Sequence, residues 1–528
     1  RVSRPYHRAE GRAGCRELIV PVSTTLGMLR TPPSPSRTAG AAPGGAGPAT
    51  RSRSGGHRSS LAPWHAVAAL TALGALLRFP TLGAQSFWLD EASTVRLVGI
   101  DLGGLLSAVA REEVTPPLYY LVAWAWAGPL GAGEVGLRSL SALLGTALVP
   151  VAYLVARELA ARRTALLTCA LVAVSPLLVW YSQEARSYAL LALLGALSLL
   201  FFLRAARSGG RGADLAGWAL ASALALATHY FALFLVAGEA LWLLAVLRRR
   251  SVLAAVGVVG LAGLALLPTA LAQQAGPGVE WIGQHPLLGR ALLVPKKFLV
   301  GETGFLIPGA RALVALLVSA ALLMLVRADP EERRGAWWGA ALGALVVLPA
   351  LALVLVGLDY LLARNLIVAW VPAALVVAVG PTARRAGWPG AAVGIALVVV
   401  LAAVSVATTA VPGLGREDWR GLAGELAPVP GGRLIAVMPP HELRSLQQYL
   451  DGLERARGGE RAGELVVVQT NRAGPQRTPP APPGYALVDR RERQRLTVIR
   501  YRVVGAGAAV SPGGRPGAPG GLLLQRGR

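Results

Sequence analysis

From residue 61 onward the chain alternates apolar runs of roughly 17 to 24 residues with short polar breaks, the length a helix needs to cross about 30 Å of hydrocarbon. The pattern predicts spans near 61–79, 137–157, 164–180, 188–204, 214–228, 231–247, 252–272, 304–326, 335–357, 364–380 and 388–410. One further stretch, from Pro116-Pro117-Leu118-Tyr119-Tyr120 to Leu130, is apolar and aromatic but only about fourteen residues long, short for a crossing. It reads as an interfacial or re-entrant helix inside an outer loop, residues 80–136. Beyond Thr409 the pattern changes again. Arg416-Glu417-Asp418-Trp419-Arg420 opens a helix. Short strand-like runs follow at Leu434–Val437, Leu465–Val468 and Leu496–Ile499, with helix-like text around His441–Leu453. The expected fold is therefore an all-α polytopic membrane protein of about 11 transmembrane helices over 61–410, with a small extracytoplasmic α/β domain over 413–505. Residues 1–60 and 506–528 are rich in Gly and Pro, the first also in Arg and Ser, and both read as disordered tails.

Composition agrees with the class: 54% hydrophobic, 15% charged, with a mean hydropathy of +0.52. A net charge of +24 would point to nucleic acid in a soluble domain, but here the arginines sit in the N-terminal tail and in short loops between apolar runs. The expected partner of that charge is the bilayer, and no nucleic acid is implied. Cys15 and Cys169 give no disulfide framework. The first apolar run lacks a small-residue cleavage site, so no cleavable signal peptide is expected, and Met28 is a candidate start.

Charge orients the spans. Arg157 with Arg162-Arg163, Arg204 to Arg211, Arg248 to Arg250, Arg327 to Arg334, and Arg384-Arg385 fall in alternate loops. Placing the basic N-terminus in the cytoplasm puts all of them there, and an uneven number of spans then carries the C-terminus outside. The expected location is the plasma membrane.

The opposite loops hold the chemistry. They carry Asp90-Glu91, then Tyr181-Ser182-Gln183-Glu184-Ala185-Arg186-Ser187-Tyr188, then Thr228-His229-Tyr230, then Asp359-Tyr360 followed by Arg364. Polar groups converging on one rim of an apolar bundle mark a candidate site at the membrane surface. An interfacial reading stands beside it. Trp88, Tyr181 and Tyr188 suit an aromatic belt, Glu184 with Arg186 a solvated pair, and Arg364 a snorkelling side chain. Arg138, at the outer start of its span, runs against the positive-inside trend and calls for a specific partner.

Three stretches look familiar: Arg78 through Phe87-Trp88-Leu89-Asp90-Glu91-Ala92, Thr115-Pro116-Pro117-Leu118-Tyr119-Tyr120, and Gly136-Leu137-Arg138-Ser139-Leu140. With Trp180-Tyr181-Ser182-Gln183-Glu184-Ala185-Arg186-Ser187-Tyr188, Thr228-His229-Tyr230-Phe231 and Tyr360 through Pro372, they resemble glycosyltransferase family 39. That family holds the protein O-mannosyltransferase and aminoarabinose-transferase relatives within the C-type membrane glycosyltransferases. The resemblance covers roughly residues 61–420. It implies an integral membrane enzyme that takes a sugar from a polyprenyl phosphate with inversion, at an outer-face site whose first loop supplies an aspartate. That aspartate maps onto Asp90, with Glu91 its catalytic neighbour. Thr115 stands where family members often carry His or Lys, and the metal ligands of the aminoarabinose branch are only partly matched, with Val114 at the place of an acid, so a divalent cation stays open as a cofactor and is not carried over.

Transfer from a lipid phosphate needs a base for the acceptor hydroxyl, positive charge on the departing phosphate, and an apolar groove. Asp90 is the candidate base. Arg186 and Arg364 are the candidate phosphate ligands, because a guanidinium fork grips two oxygens and stays charged. Glu184, Tyr188, His229, Tyr230 and Arg138 are candidates for positioning the substrates, the acceptor being a glycan, lipid or protein. The rival classes are a secondary transporter and a non-catalytic membrane scaffold.

Overall fold

The computed structural model describes residues 62–274, 282, 286–304, 306–456, 462–471, 478–504 and 522–526. The expected tail over 1–60, with Cys15, lies outside the described residues. Each of the eleven expected apolar stretches carries a helix. Among the described residues, seven helices are long and apolar enough to cross a membrane, and an eighth candidate is the pair Arg162–Val174 and Pro176–Ser182, bent by 52°. Trp64–Arg78, Gly212–Thr228 and Ala232–Leu247 are shorter apolar helices. The protein is a mostly helical membrane protein with a small C-terminal sheet.

The segment expected to form the outer loop, residues 80–136, is itself largely helical. Helix α1 (Ala62–Arg78) leads into α2 (Leu89–Val98), α3 (Leu102–Glu112) and α4 (Leu118–Leu130) before the long helix α5 (Glu134–Leu159). Asp101 caps α3 by accepting from the Gly104 amide at 3.0 Å. The stretch expected to lie short of a crossing is α4, a helix of 13 residues. A helix that the apolar pattern did not predict spans Leu287–Gly304; Pro295 and a left-handed Gly301 (φ 80°) interrupt it, and it carries Arg290 and Lys297.

The bend between Arg162–Val174 (α6) and Pro176–Ser182 (α7) has a chemical cause. Pro176 has no amide hydrogen, so the ladder loses a donor there and carbonyls of the preceding turn are left free. Arg78, fully buried at the end of α1, takes them up: Nη1 donates to the Ala173 carbonyl at 2.8 Å and Nη2 to that of Val172 at 3.2 Å. Its Nε reaches Ser182 Oγ at 3.1 Å. Gly145 on α5 leaves the room for this, since a Cβ there would lie 1.9 Å from Ser182 Oγ. The bend thus delivers the loop after Ser182 to a fixed height, and α8 (Tyr188–Ser208) starts from it.

The C-terminal domain is a six-stranded sheet in the order β2-β6-β1-β3-β5-β4, where β1 is Arg433–Met438, β2 Leu453–Arg455, β3 Glu464–Thr470, β4 Tyr485–Arg493, β5 Leu496–Val503 and β6 Leu522–Gln525. β1 and β3 run parallel, and the other pairs are antiparallel. Alternate residues face opposite layers: Ile435, Val437, Val466 and Val468 pack with Trp419 and Leu446, while Leu434, Leu465, Val467 and Tyr501 form the other face. The three expected strands are β1, β3 and β5. One correction concerns the expected disordered tail: Leu522–Gln525 is a strand, because Leu522-Leu523-Leu524 fills the register beside β1.

Candidate active site

Asp90 and Glu91 lie in the first turn of α2, where the positive end of the helix dipole favours carboxylates. Their surroundings differ completely. Glu91 is fully buried and gripped by both edges of the Arg138 guanidinium, Nε to Oε1 at 2.7 Å and Nη2 to Oε2 at 2.6 Å. Its Oε1 also accepts the Ala185 amide at 2.9 Å. Burial pushes the Glu91 carboxyl up, but Arg138 outweighs it and holds the group below its ordinary value. Arg138 spends its remaining hydrogens on the carbonyls of Leu82, Gln85 and Ser86, at 2.8, 2.7 and 2.9 Å. It therefore ties the turn segment entering α2 to the carboxylate inside it. Glu91, paired with Asp90 in the expected catalytic set, is enclosed behind it and presents no oxygen to a substrate. Arg138, expected among the substrate contacts, is buried with its guanidinium hydrogens on Glu91 and these carbonyls.

Asp90 keeps its side chain 23% exposed, and its Oδ2 accepts Arg364 Nη1 at 3.1 Å. Arg364 sits at the start of the 3₁₀ turn Ala363–Ala369, with 21% of its side chain exposed, and its guanidinium lies over the Tyr188 ring at 5.6 Å. Tyr188 stands edge-on to Tyr181 at 4.8 Å and 6.0 Å from the His229 ring. Asp90, Arg364, Tyr188 and His229, drawn from four separate loops, do come together.

The loop 183–187 is pinned from both sides. Gln183 Nε2 donates to the Arg78 carbonyl at 3.0 Å, and Thr94 Oγ1 donates to the Ala185 carbonyl at 2.9 Å. The interfacial reading of a solvated Glu184–Arg186 pair fails, since both side chains are buried and each has another partner. Arg186 pairs with Glu113, Nη2 to Oε2 at 3.1 Å, and donates to the Asp90 carbonyl at 3.2 Å. Burial alone would weaken its charge, but Glu113 outweighs that and keeps it protonated. Tyr120 completes this corner, donating to Glu113 Oε2 at 2.7 Å beneath the Arg186 guanidinium. Glu184 pairs with Arg416, from the segment after the last apolar helix, at 3.0 Å.

Two titratable groups are displaced far enough to affect chemistry. Burial lowers the His229 imidazole to about 3, helped by Arg364 and Arg186, so it is neutral at working pH. Its Nδ1 accepts the Phe231 amide at 3.2 Å. Burial pushes Glu184 up to about 7, against the pull of Arg416. Tyr230 is a brace: its hydroxyl donates to Gln273 Oε1 at 2.8 Å, and Gln273 in turn holds the Val109 and Thr115 carbonyls, both at 2.9 Å. Asp359 is clasped by Arg290 through both oxygens, away from these groups.

The residues missed from sequence are Glu113 and Arg416, with Lys297 and Glu302 beside Tyr181, whose hydroxyl donates to Glu302 Oε1 at 2.5 Å. The doubled acid Glu112-Glu113, just before Thr115-Pro116-Pro117, was the available signal for the first. Among the described residues no three His, Cys, Asp or Glu side chains gather as a metal site.

Comparison with known proteins gives a partial match. No curated protein matches this chain. Among solved structures, ArnT from Cupriavidus metallidurans bound to undecaprenyl phosphate is 16% identical, with a TM-score of 0.48 over 82% of this chain and 97% of that one. The S. cerevisiae protein O-mannosyltransferase Pmt1-Pmt2 complex bound to the sugar donor is 21% identical, with a TM-score of 0.33 over 40% of this chain. This chain spans about a third (33%) of that one. The arabinofuranosyltransferase AftD from Mycobacteria is 19% identical, with a TM-score of 0.41 over 83% of this chain and 40% of that one. Residues 114–272, which carry Thr115-Pro116-Pro117, Glu184-Ala185-Arg186 and His229, match the model of the dolichyl-phosphate-mannose-protein mannosyltransferase family.

Proposed function

We propose that this chain is a membrane glycosyltransferase that moves a sugar from a polyprenyl-phosphate donor to an acceptor hydroxyl at the outer face of the membrane, with inversion. The observation that carries the reading is the Asp90–Arg364 pair at 3.1 Å. It joins a carboxylate and a guanidinium that are both part-exposed, while Glu91, Glu113, Glu184, Arg138, Arg186 and Arg416 around it are buried and paired. A donor phosphate entering there competes with Asp90 for Arg364. Once displaced, the Asp90 carboxylate is free to act as the base.

The step balances without a further reagent. The acceptor oxygen bonds to the anomeric carbon as its proton passes to Asp90, and the bond from that carbon to the phosphate oxygen breaks. The electron pair leaves with the polyprenyl phosphate, whose charge Arg364 meets. Arg364 is better placed for this than Arg186, whose two terminal nitrogens are already committed to Glu113 and the Asp90 carbonyl. Arg186 instead fixes the backbone of the base. Tyr188 lies under Arg364, and a neutral His229 adds no charge to compete for the phosphate. The acceptor is a glycan, lipid or protein hydroxyl.

The test supplies native membranes with labelled polyprenyl-phosphate mannose and, separately, polyprenyl-phosphate arabinose. Label should reach an acceptor with wild-type protein and fail to do so with Asp90→Asn.

The orientation is open to a separate measurement. The five basic loops support a cytoplasmic N-terminus and an outer-face site, and the C-terminal domain touches the segment before Asp90 through Tyr449 and Phe87. In intact cells carrying a chain freed of Cys15 and Cys169, an impermeant maleimide should label exposed Gly424→Cys at once. Exposed Ser208→Cys should react only after permeabilisation. The reverse pattern contradicts the orientation.

A further inference from the structure

The segment after the last apolar helix returns to the underside of the candidate site. Arg416, 5% exposed, lays its guanidinium on the Trp180 ring at 4.4 Å. Its Nη2 meets Glu184 Oε2 at 3.0 Å, its backbone amide donates to Gln85 Oε1 at 3.0 Å, and its Nε lies 3.9 Å from Glu91 Oε2. The rest of the C-terminal domain holds the same stretch of chain. Tyr449 Oη accepts the Phe87 amide at 2.6 Å and donates to Glu134 Oε1 at 2.8 Å. Arg420 pairs with Glu134 and donates to the Gly83 carbonyl, at 3.1 and 3.0 Å. The approach to Asp90 is thus clamped by Arg138 from α5 and by this domain.

The charges make the domain more than a clamp. Asp90, Glu91, Glu113 and Glu184 pair with Arg364, Arg138, Arg186 and Arg416 in turn, and the C-terminal segment supplies the partner of Glu184. Glu184 is the residue exposed by its loss. The charged groups facing it are Arg416, then Glu91 and Asp90 from α2, then Arg364. Without Arg416 the carboxylate is buried beside two like charges, and its one remaining facing cation is the partner of Asp90. It must then either take up a proton or draw Arg364 away.

We infer that Arg416 is a positioning residue of the transferase site, through which the C-terminal domain holds Glu184 and leaves Arg364 to Asp90 and the donor phosphate. The inference rests on the transferase reading above. It assigns the domain a task at the reaction centre although none of its residues touches the reacting atoms.

The experiment compares wild type, Arg416→Met, Arg416→Met/Glu184→Gln and Arg416→Lys as full-length protein, with Asp90→Asn as the inactive reference. Infrared spectra at pH 8 read the carbonyl stretch of protonated carboxyls, and the membrane assay with labelled polyprenyl-phosphate mannose and arabinose reads turnover. Arg416→Met should gain a protonated-carboxyl band at pH 8 that the double variant lacks, and at higher pH, where Glu184 ionises, should lose about 10- to 100-fold in kcat through a displaced Arg364. The double variant, with the charge balance restored, should recover most of that loss. Arg416→Lys should show no new band, which keeps the test alive if Arg416→Met does not fold. A kcat for Arg416→Met equal to wild type at that higher pH, a double variant as slow there as the single, or a new band in Arg416→Lys overturns the inference. Wild-type protein that transfers neither sugar overturns the transferase reading instead, and the infrared arm still reports on Arg416.

Discussion

Asp90→Asn should reduce sugar transfer by about 10²–10⁴-fold, the usual contribution of a positioned general base, with little change in protein level. Asn keeps the size and one acceptor oxygen, so the start of α2 should hold its shape. The substitution removes the negative charge that pairs with Arg364 and the ability to take up the acceptor proton. Donor binding should therefore survive or improve, because the phosphate no longer displaces a carboxylate from Arg364. Loss of turnover with retained donor affinity separates a base from a residue that merely shapes the site. An Asn variant with near wild-type turnover would remove Asp90 from the chemistry.

Arg138→Met should have the largest effect on stability, a loss of about 3–5 kcal/mol, the cost of stranding one partner of a buried ion pair. The pair is 1% and 0% exposed, and the same arginine satisfies three backbone carbonyls of the turn segment that enters α2. Methionine fills the space but leaves the Glu91 carboxylate with the Ala185 amide and the more distant Arg416. Adding Glu91→Gln should recover part of the loss by removing the buried charge, while the carbonyls of Leu82, Gln85 and Ser86 remain unserved. Thermal unfolding in detergent reads both variants. A single variant within about 0.5 kcal/mol of wild type, the range of ordinary surface substitutions, would contradict the role given to Arg138.

The helices were legible because a membrane span is a local property, written in about twenty consecutive residues. The helix Leu287–Gly304 escaped because Pro295, Gly301 and two lysines break its apolar run. The site was legible as a set of loops and illegible as a set of partners. Asp90-Glu91 stands out as a doubled acid in an acid-poor chain, and Arg138 stands out against the charge rule. That Glu91 belongs to Arg138 and Asp90 to Arg364 depends on contacts across 47 and 274 residues. The nearness of Glu184 to Arg186 in sequence was misleading: the loop turns their side chains to Arg416 and Glu113, 232 and 73 residues away. Glu113 and Arg416 were missed for the same reason, since each acquires its meaning only when the fold brings a distant charge to it.

The central claim is that a lipid phosphate enters between Asp90 and Arg364. A cryo-EM map of the protein with a polyprenyl-phosphate sugar bound tests it most directly. The account predicts the phosphate against the Arg364 guanidinium, the Asp90 carboxylate released toward the anomeric carbon, and Arg186 still on Glu113. A phosphate bound elsewhere, with the Asp90–Arg364 pair intact, would contradict it.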